Sequence, residues 1–118
     1  MAGAAMFLGW GEVIHGREQK ALEVFGEVVE YYGRLQQEGR IESFEPVLLA
    51  PHGGDLFGFV LARGDRQRLA EVRFSEEFER LLARGGLVVS RLGIVPAYTG
   101  EELGTQMENF RRQADDLA

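Results

Sequence analysis

The stretch "IESFEPVLLAPHGGDLFGFVLARG", residues 41–64, holds two apolar runs with His52-Gly53-Gly54-Asp55 between them. Two glycines flanked by strand formers are a hairpin signal, because a type I′ turn needs positive φ at both central positions. This predicts strands over 40–52 and 55–64, with His52 opposite Asp55 across the pair. The same register sets Ala50 against Phe57, Leu48 against Phe59 and Pro46 against Leu61, an apolar face suited to carry helices. The other face pairs Leu49 with Gly58, Val47 with Val60 and Glu45 with Ala62, and it is apolar apart from Glu45.

Upstream, 6–14 reads as a first strand with Met6, Leu8 and Trp10 on one side and Phe7, Gly9 and Val13 on the other. A helix over 17–39 follows, with Ala21, Phe25, Val28, Tyr32 and Leu35 at helical spacing and Gly39 as its stop. Downstream, 65–86 is helical, in two pieces if Ser75 caps the second. A fourth strand is expected over 87–95. Thr99 and Glu102 then offer a capping box to a last helix, about 100–116, with Leu103, Met107, Phe110, Ala114 and Leu117 on one stripe.

The order β-α-β-β-α-β plus a terminal helix predicts an α+β, ferredoxin-like fold: a four-stranded antiparallel sheet with helices on one face. Its second and fourth strands are the edges, where strand proline belongs. Pro46 and Pro51 fall in the second predicted strand and Pro96 at the end of the fourth. The 118 residues predict one domain, 1–118, with its core at 6–97.

The composition narrows function by exclusion. A net charge of −6 argues against nucleic acid and against an anionic membrane surface as partners. The absence of cysteine removes disulfides and thiolate chemistry. No run approaches the ~20 apolar residues of a membrane span, and "MAGAAMFLGWGEV" lacks a signal peptide's charged start, so a cytoplasmic protein is expected. No nucleotide-binding glycine motif and no metal motif is present, and no cofactor is implied.

Two helices cover one face of such a sheet, yet both faces read as apolar. A second copy of the chain, meeting this one through the open sheet face, would cover the other, with the terminal helix covering part.

The layout from "VFGEVVEYYGRLQQEGRI" through "SEEFERLL" to "RLGIVPA" resembles the dimeric α+β barrel superfamily. The resemblance spans 6–97 and rests on the L-x-x-x-G-R-I helix end, the hairpin, the S-x-E-F-x-x-L helix and the final V-P. It implies a homodimer with paired sheets, and a ligand held between sheet and helices in those members that are active. The histidine that the YCII-related group carries on its first helix has no counterpart here, where Val28, Tyr31 and Tyr32 stand, so no catalytic role is carried over.

The candidate site residues follow from this frame. His52 with Asp55 reads as an acid–base dyad or as a pair that fixes the hairpin's register. Gly9, Gly11, Gly58 and Gly93 lie inside predicted strands, where they hollow a pocket or admit a close neighbour. Glu45 and Arg91 would be that pocket's polar groups. Trp10, Tyr31, Tyr32 and Tyr98 line an aromatic site or anchor the core. His15 sits at the turn before the first helix, and Gly26 and Gly33 would pack the helix closely on the sheet. Three readings result: a protein binding a small hydrophobic ligand through Trp10, Gly9, Glu45 and Gly58; a cofactor-independent enzyme of monooxygenase or isomerase type using His52, Asp55, Arg91 and Tyr98; and a purely structural assembly domain.

Overall fold

Strand β1, Ala4–Trp10, is the fold's axis, and every residue of it is buried or half-buried. The computed structural model describes residues 3–118, so the first two positions of the predicted 1–118 unit lie outside the described residues. Helix α1, Glu18–Gln37, is followed by β2, Ser43–Leu48, and β3, Gly58–Arg63. Then come α2, Arg66–Arg73, α3, Glu76–Gly86, β4, Gly93–Tyr98, and α4, Gly100–Leu117. The strands form one antiparallel sheet in the order β2-β3-β1-β4, the ferredoxin-like arrangement. Pro46 and Pro96 fall on its two edge strands, where a missing N–H breaks no ladder bond. Pro51 lies outside any strand.

Directly paired residues share a face. The helix-facing set is Phe44, Pro46 and Leu48, then Gly58, Val60 and Ala62, then Ala4, Met6, Leu8 and Trp10, then Ile94 and Pro96. Against it pack Tyr31, Tyr32 and Leu35 of α1, Leu69 and Val72 of α2, and Phe78 and Leu81 of α3. Large aromatic side chains come from α1 and α3, and β3 answers them with small ones, Gly58, Val60 and Ala62. Ser75 separates α2 from α3 and accepts a hydrogen bond from Phe78 N–H, as an N-cap should. Arg84 pairs with Glu27 at 2.7 Å and Arg34 with Glu77 at 2.6 Å, fastening α3 alongside α1.

Several sequence expectations are corrected. The hairpin register is one residue off: Leu48 faces Gly58 and Val47 faces Phe59. The strands are joined by residues 49–57 and not by two glycines, and a one-residue slip exchanges faces. Phe59 and Leu61 therefore point to the open face, where Phe59 stacks on Phe7 at 5.1 Å, while Val60 and Ala62 face the helices.

The fourth strand starts later than expected, at Gly93. The pairing begins in 87–92 through a Val13↔Val89 bridge, breaks, and resumes at Gly9↔Gly93. Arg91 sits in the break at φ 54°, a left-handed conformation uncommon outside glycine.

The capping box does not form. Thr99 Oγ1 donates to Gly3 O at 3.0 Å, and Glu102 pairs with Arg66. Gly26 and Gly33 face open space, with nothing within 4 Å of the point where a Cβ would stand, so neither marks close helix–sheet packing. Nor does α4 cover the open face: none of its residues is buried. Among the described residues no helix is long and apolar enough to cross a membrane.

Candidate ligand-binding site

A cavity of about 380 Å³ opens between the sheet and helices α1 and α3. Leu8 and Trp10 of β1 and Leu48 of β2 form its floor. Ala21, Val24, Phe25 and Val28 of α1 make one wall, and Leu81, Leu82 and Gly85 of α3 make the other. Val88, Val89 and Leu92, from the segment that joins α3 to β4, close the end, and Val13, Leu22 and Phe78 complete the apolar lining. Its size lies within the range of small-molecule sites.

Each wall has a local cause. Gly58 pairs directly with Trp10, and a Cβ there would fall 2.7 Å from Trp10 Cζ2, so only glycine lets the indole lie down on β3. Phe25 meets the indole edge-on at 5.9 Å. At Gly85 a Cβ would stand 3.0 Å from Leu92 Cδ2, so the missing side chain leaves room for Leu92 at the end wall. The segment 87–92 is held in place by Ile14 N–H to Val88 O at 2.9 Å and Ser90 N–H to Glu12 O at 2.8 Å.

Glu18 is the one ionisable residue of the lining. Its carboxylate accepts from Gly16 N–H at 3.2 Å and lies 4.0 Å from His15 Nδ1, exposed on both sides. Trp10 Nε1 is the only other side-chain polar atom in the lining residues. Such a cavity offers apolar contact and shape. It places no acid–base pair where a bound molecule would sit.

Of the residues singled out from sequence, Trp10 lines the cavity and Gly58 supports it. The others are elsewhere. His52 and Asp55 do not pair: His52 Nδ1 accepts from Gly54 N–H at 3.2 Å, which leaves Nε2–H to donate to Leu56 O at 2.8 Å. Both ring nitrogens thus serve the loop's own backbone. Asp55 instead meets Arg91 at 3.0 Å, both exposed. Glu45 is exposed on edge strand β2, and Gly9 lies under the Phe7 ring and near Leu56. Tyr98 ends β4 with the Arg66 guanidinium 5.3 Å from its ring centroid.

Tyr31 and Tyr32 are core residues. Tyr32 is fully buried, stacked on Phe44 at 5.6 Å, and its hydroxyl has no hydrogen-bond partner. Burial, with a smaller contribution from Tyr31, pushes its phenol well above the ordinary value. Among the described residues no cluster of three His, Asp or Glu side chains has a metal-binding arrangement. The walls from α1 and α3 carry no sequence signal that separates a cavity from a filled core. The nearest signal is Gly85-Gly86 followed by the apolar run at 87–89.

No protein family and no curated protein matches the chain. Solved structures do. A dimeric protein of unknown function with a ferredoxin-like fold from Bacteroides fragilis is similar at a TM-score of 0.59 and 11% identity, over 82% of this chain and 97% of that one. A conserved protein from Methanosarcina mazei aligns at 0.62 and 12%, over 83% and 94%. SnoaB, a cofactor-independent oxygenase from Streptomyces nogalater, aligns at 0.55 and 16%, over 85% and 98%. At these identities the likeness establishes the fold, and the chain has the ferredoxin-like α+β architecture these proteins share.

Proposed function

We propose that this protein binds a small apolar molecule in the cavity between the sheet and helices α1 and α3, and that it works as a homodimer joined through the open sheet face. One observation carries the binding reading: a cavity of about 380 Å³ whose lining is apolar except for Glu18 at its rim and the indole nitrogen of Trp10. Removing apolar ligand surface from water contributes about 25 cal/mol per Å², enough here for useful affinity without a polar anchor.

The open face supports the dimer. It presents Phe7, Val47, Phe59, Leu61 and Val95, with Ser43, Glu45 and Arg63 towards β2 and the sheet's end. Apolar patches of this kind mark association surfaces. The similarity to SnoaB favours a second reading, a cofactor-independent oxygenase acting on a hydrophobic substrate in the same cavity. The cavity's polar inventory supports binding over catalysis.

Trp10 is the only tryptophan, so its emission reports on the cavity directly. Titration with dodecanol should shift and saturate that emission at micromolar to millimolar concentration. An emission unchanged by dodecanol and by other neutral apolar probes would contradict the binding reading. Light scattering tests the sheet-face contact, which should bring the mass to at least twice the 13.2 kDa of one chain.

A further inference from the structure

Helix α4 is eighteen residues long and buries none of them. Its root is fixed: Arg66 donates to Ala97 O and Ala5 O, each at 2.9 Å, and pairs with Glu102. Thr99 N–H and Oγ1 both bond Gly3 O. Beyond that root the helix leaves the body, and the radius of gyration is 16.0 Å against about 13–14 Å for a compact chain of this length. The exposed stripe is large: Leu103 at 49%, Met107 at 61%, Phe110 at 71% and Leu117 at 84%. A helix of this length is marginal alone in water, so what covers the stripe matters.

The spacing suits another helix as the cover. Leu103, Met107, Phe110, Ala114 and Leu117 follow one another at strict four-three intervals, the 3.5-residue repeat of a coiled-coil seam. A helix lying on a sheet or core uses a broader stripe. The flanks admit a second copy of the same helix. The positions beside the seam are Gly104, Gln106, Arg111 and Gln113, and Arg111 is neutralised within its own helix by Glu108 and by Asp115 at 2.8 Å. The acids Glu101, Glu108, Asp115 and Asp116 stand away from the seam. A chain of net charge −6 therefore presents a seam that another copy can approach without facing a row of like charges. The residue sizes set the direction. Side by side in parallel, Ala114 would meet Ala114 and Phe110 would meet Phe110. Antiparallel, Leu103 sits across from Ala114 and Met107 across from Phe110, which gives even layers.

We infer that α4 pairs antiparallel with the α4 of a second copy, along Leu103, Met107, Phe110 and Ala114. The pairing is separate from contact through the open sheet face.

The full chain tests this. Phe110→Glu should weaken self-association by about tenfold or more, read as a lower mass by light scattering on dilution. It should leave the thermal melt of the body unchanged, because α4 packs on little of it. The chain has no cysteine, so a Leu103→Cys, Ala114→Cys double variant gives a second, independent readout. Oxidised at micromolar concentration, it should yield a covalent dimer, whereas Leu103→Cys alone should not. An unchanged mass for Phe110→Glu, no cross-link in the double variant, or a cross-link in the single variant would each overturn the inference.

Discussion

The indole of Trp10 lies against the bare Cα of Gly58, its partner across β1 and β3, so closely that a Cβ on Gly58 would stand 2.7 Å from the ring. The floor of the cavity is thus set by a glycine that does not itself line it. Gly58→Ala must push the indole towards the helices or bend β3, since the carbonyl of Val47 lies only 3.0 Å from the same Cβ. We expect a loss of about 1–3 kcal/mol in stability. We also expect roughly tenfold weaker binding of dodecanol, seen together with a changed Trp10 emission in the free protein. Normal binding with unaltered emission would show that the floor tolerates the methyl.

His52 belongs to a loop, and its removal should behave accordingly. His52→Ala loses two hydrogen bonds to exposed backbone, about 0.5–1.5 kcal/mol. Binding in the cavity should be unchanged. A variant that kept its melting temperature and lost binding would restore His52 as a site residue.

The two glycines of α1 offer a gain. Gly26 and Gly33 have open space where a Cβ would go and no positive φ. Alanine at either should raise stability by about 0.5–1 kcal/mol, through helix propensity and a less free unfolded chain. Thermal melting checks this directly. A decrease would mean that a neighbour occupies that space in the assembled protein.

Acid should loosen the α1–α3 contact. The Arg84 guanidinium beside Glu27, and that of Arg34 beside Glu77, hold both carboxyls below the usual 4.5. Groups with lowered folded-state values stabilise fully above the ordinary value and lose that contribution as pH falls through the lowered one. Wild type should therefore melt slightly higher than a Glu27→Gln, Glu77→Gln variant near neutral pH. The difference should close well below pH 4.5. A difference that grew on acidification would contradict the assignment.

Much of the scaffold was legible because it follows periodicity and exclusion. Proline on β2 and β4 pointed to the sheet's edges, and Ser75 marked the break between α2 and α3. The register was not legible, because His-Gly-Gly-Asp imitates a two-residue turn. Both neighbouring runs are apolar on both faces, so nothing in the pattern resisted a slip of one. β4 was misplaced for a related reason: 87–90 pairs with 11–14 in the same register as β4 pairs with β1, and only the backbone at Arg91 shows the break. The candidate site was legible at Trp10 and Gly58 alone. The other walls are ordinary core residues of α1 and α3, and whether they close on each other or leave a space depends on packing that periodicity does not encode.

Filling the cavity from one wall is the sharpest test of ligand binding there. Ala21 sits half-buried on α1 and faces the space beside Trp10 and Phe25. In Ala21→Phe the added ring should occupy part of the cavity, abolish the dodecanol-induced change in Trp10 emission and leave the fold and mass intact. Binding of the uncharged dye N-phenylnaphthylamine should be lost with it. Binding of both probes as tight as in the wild type would contradict a ligand site in the cavity and move the apolar ligand to the open sheet face or to α4.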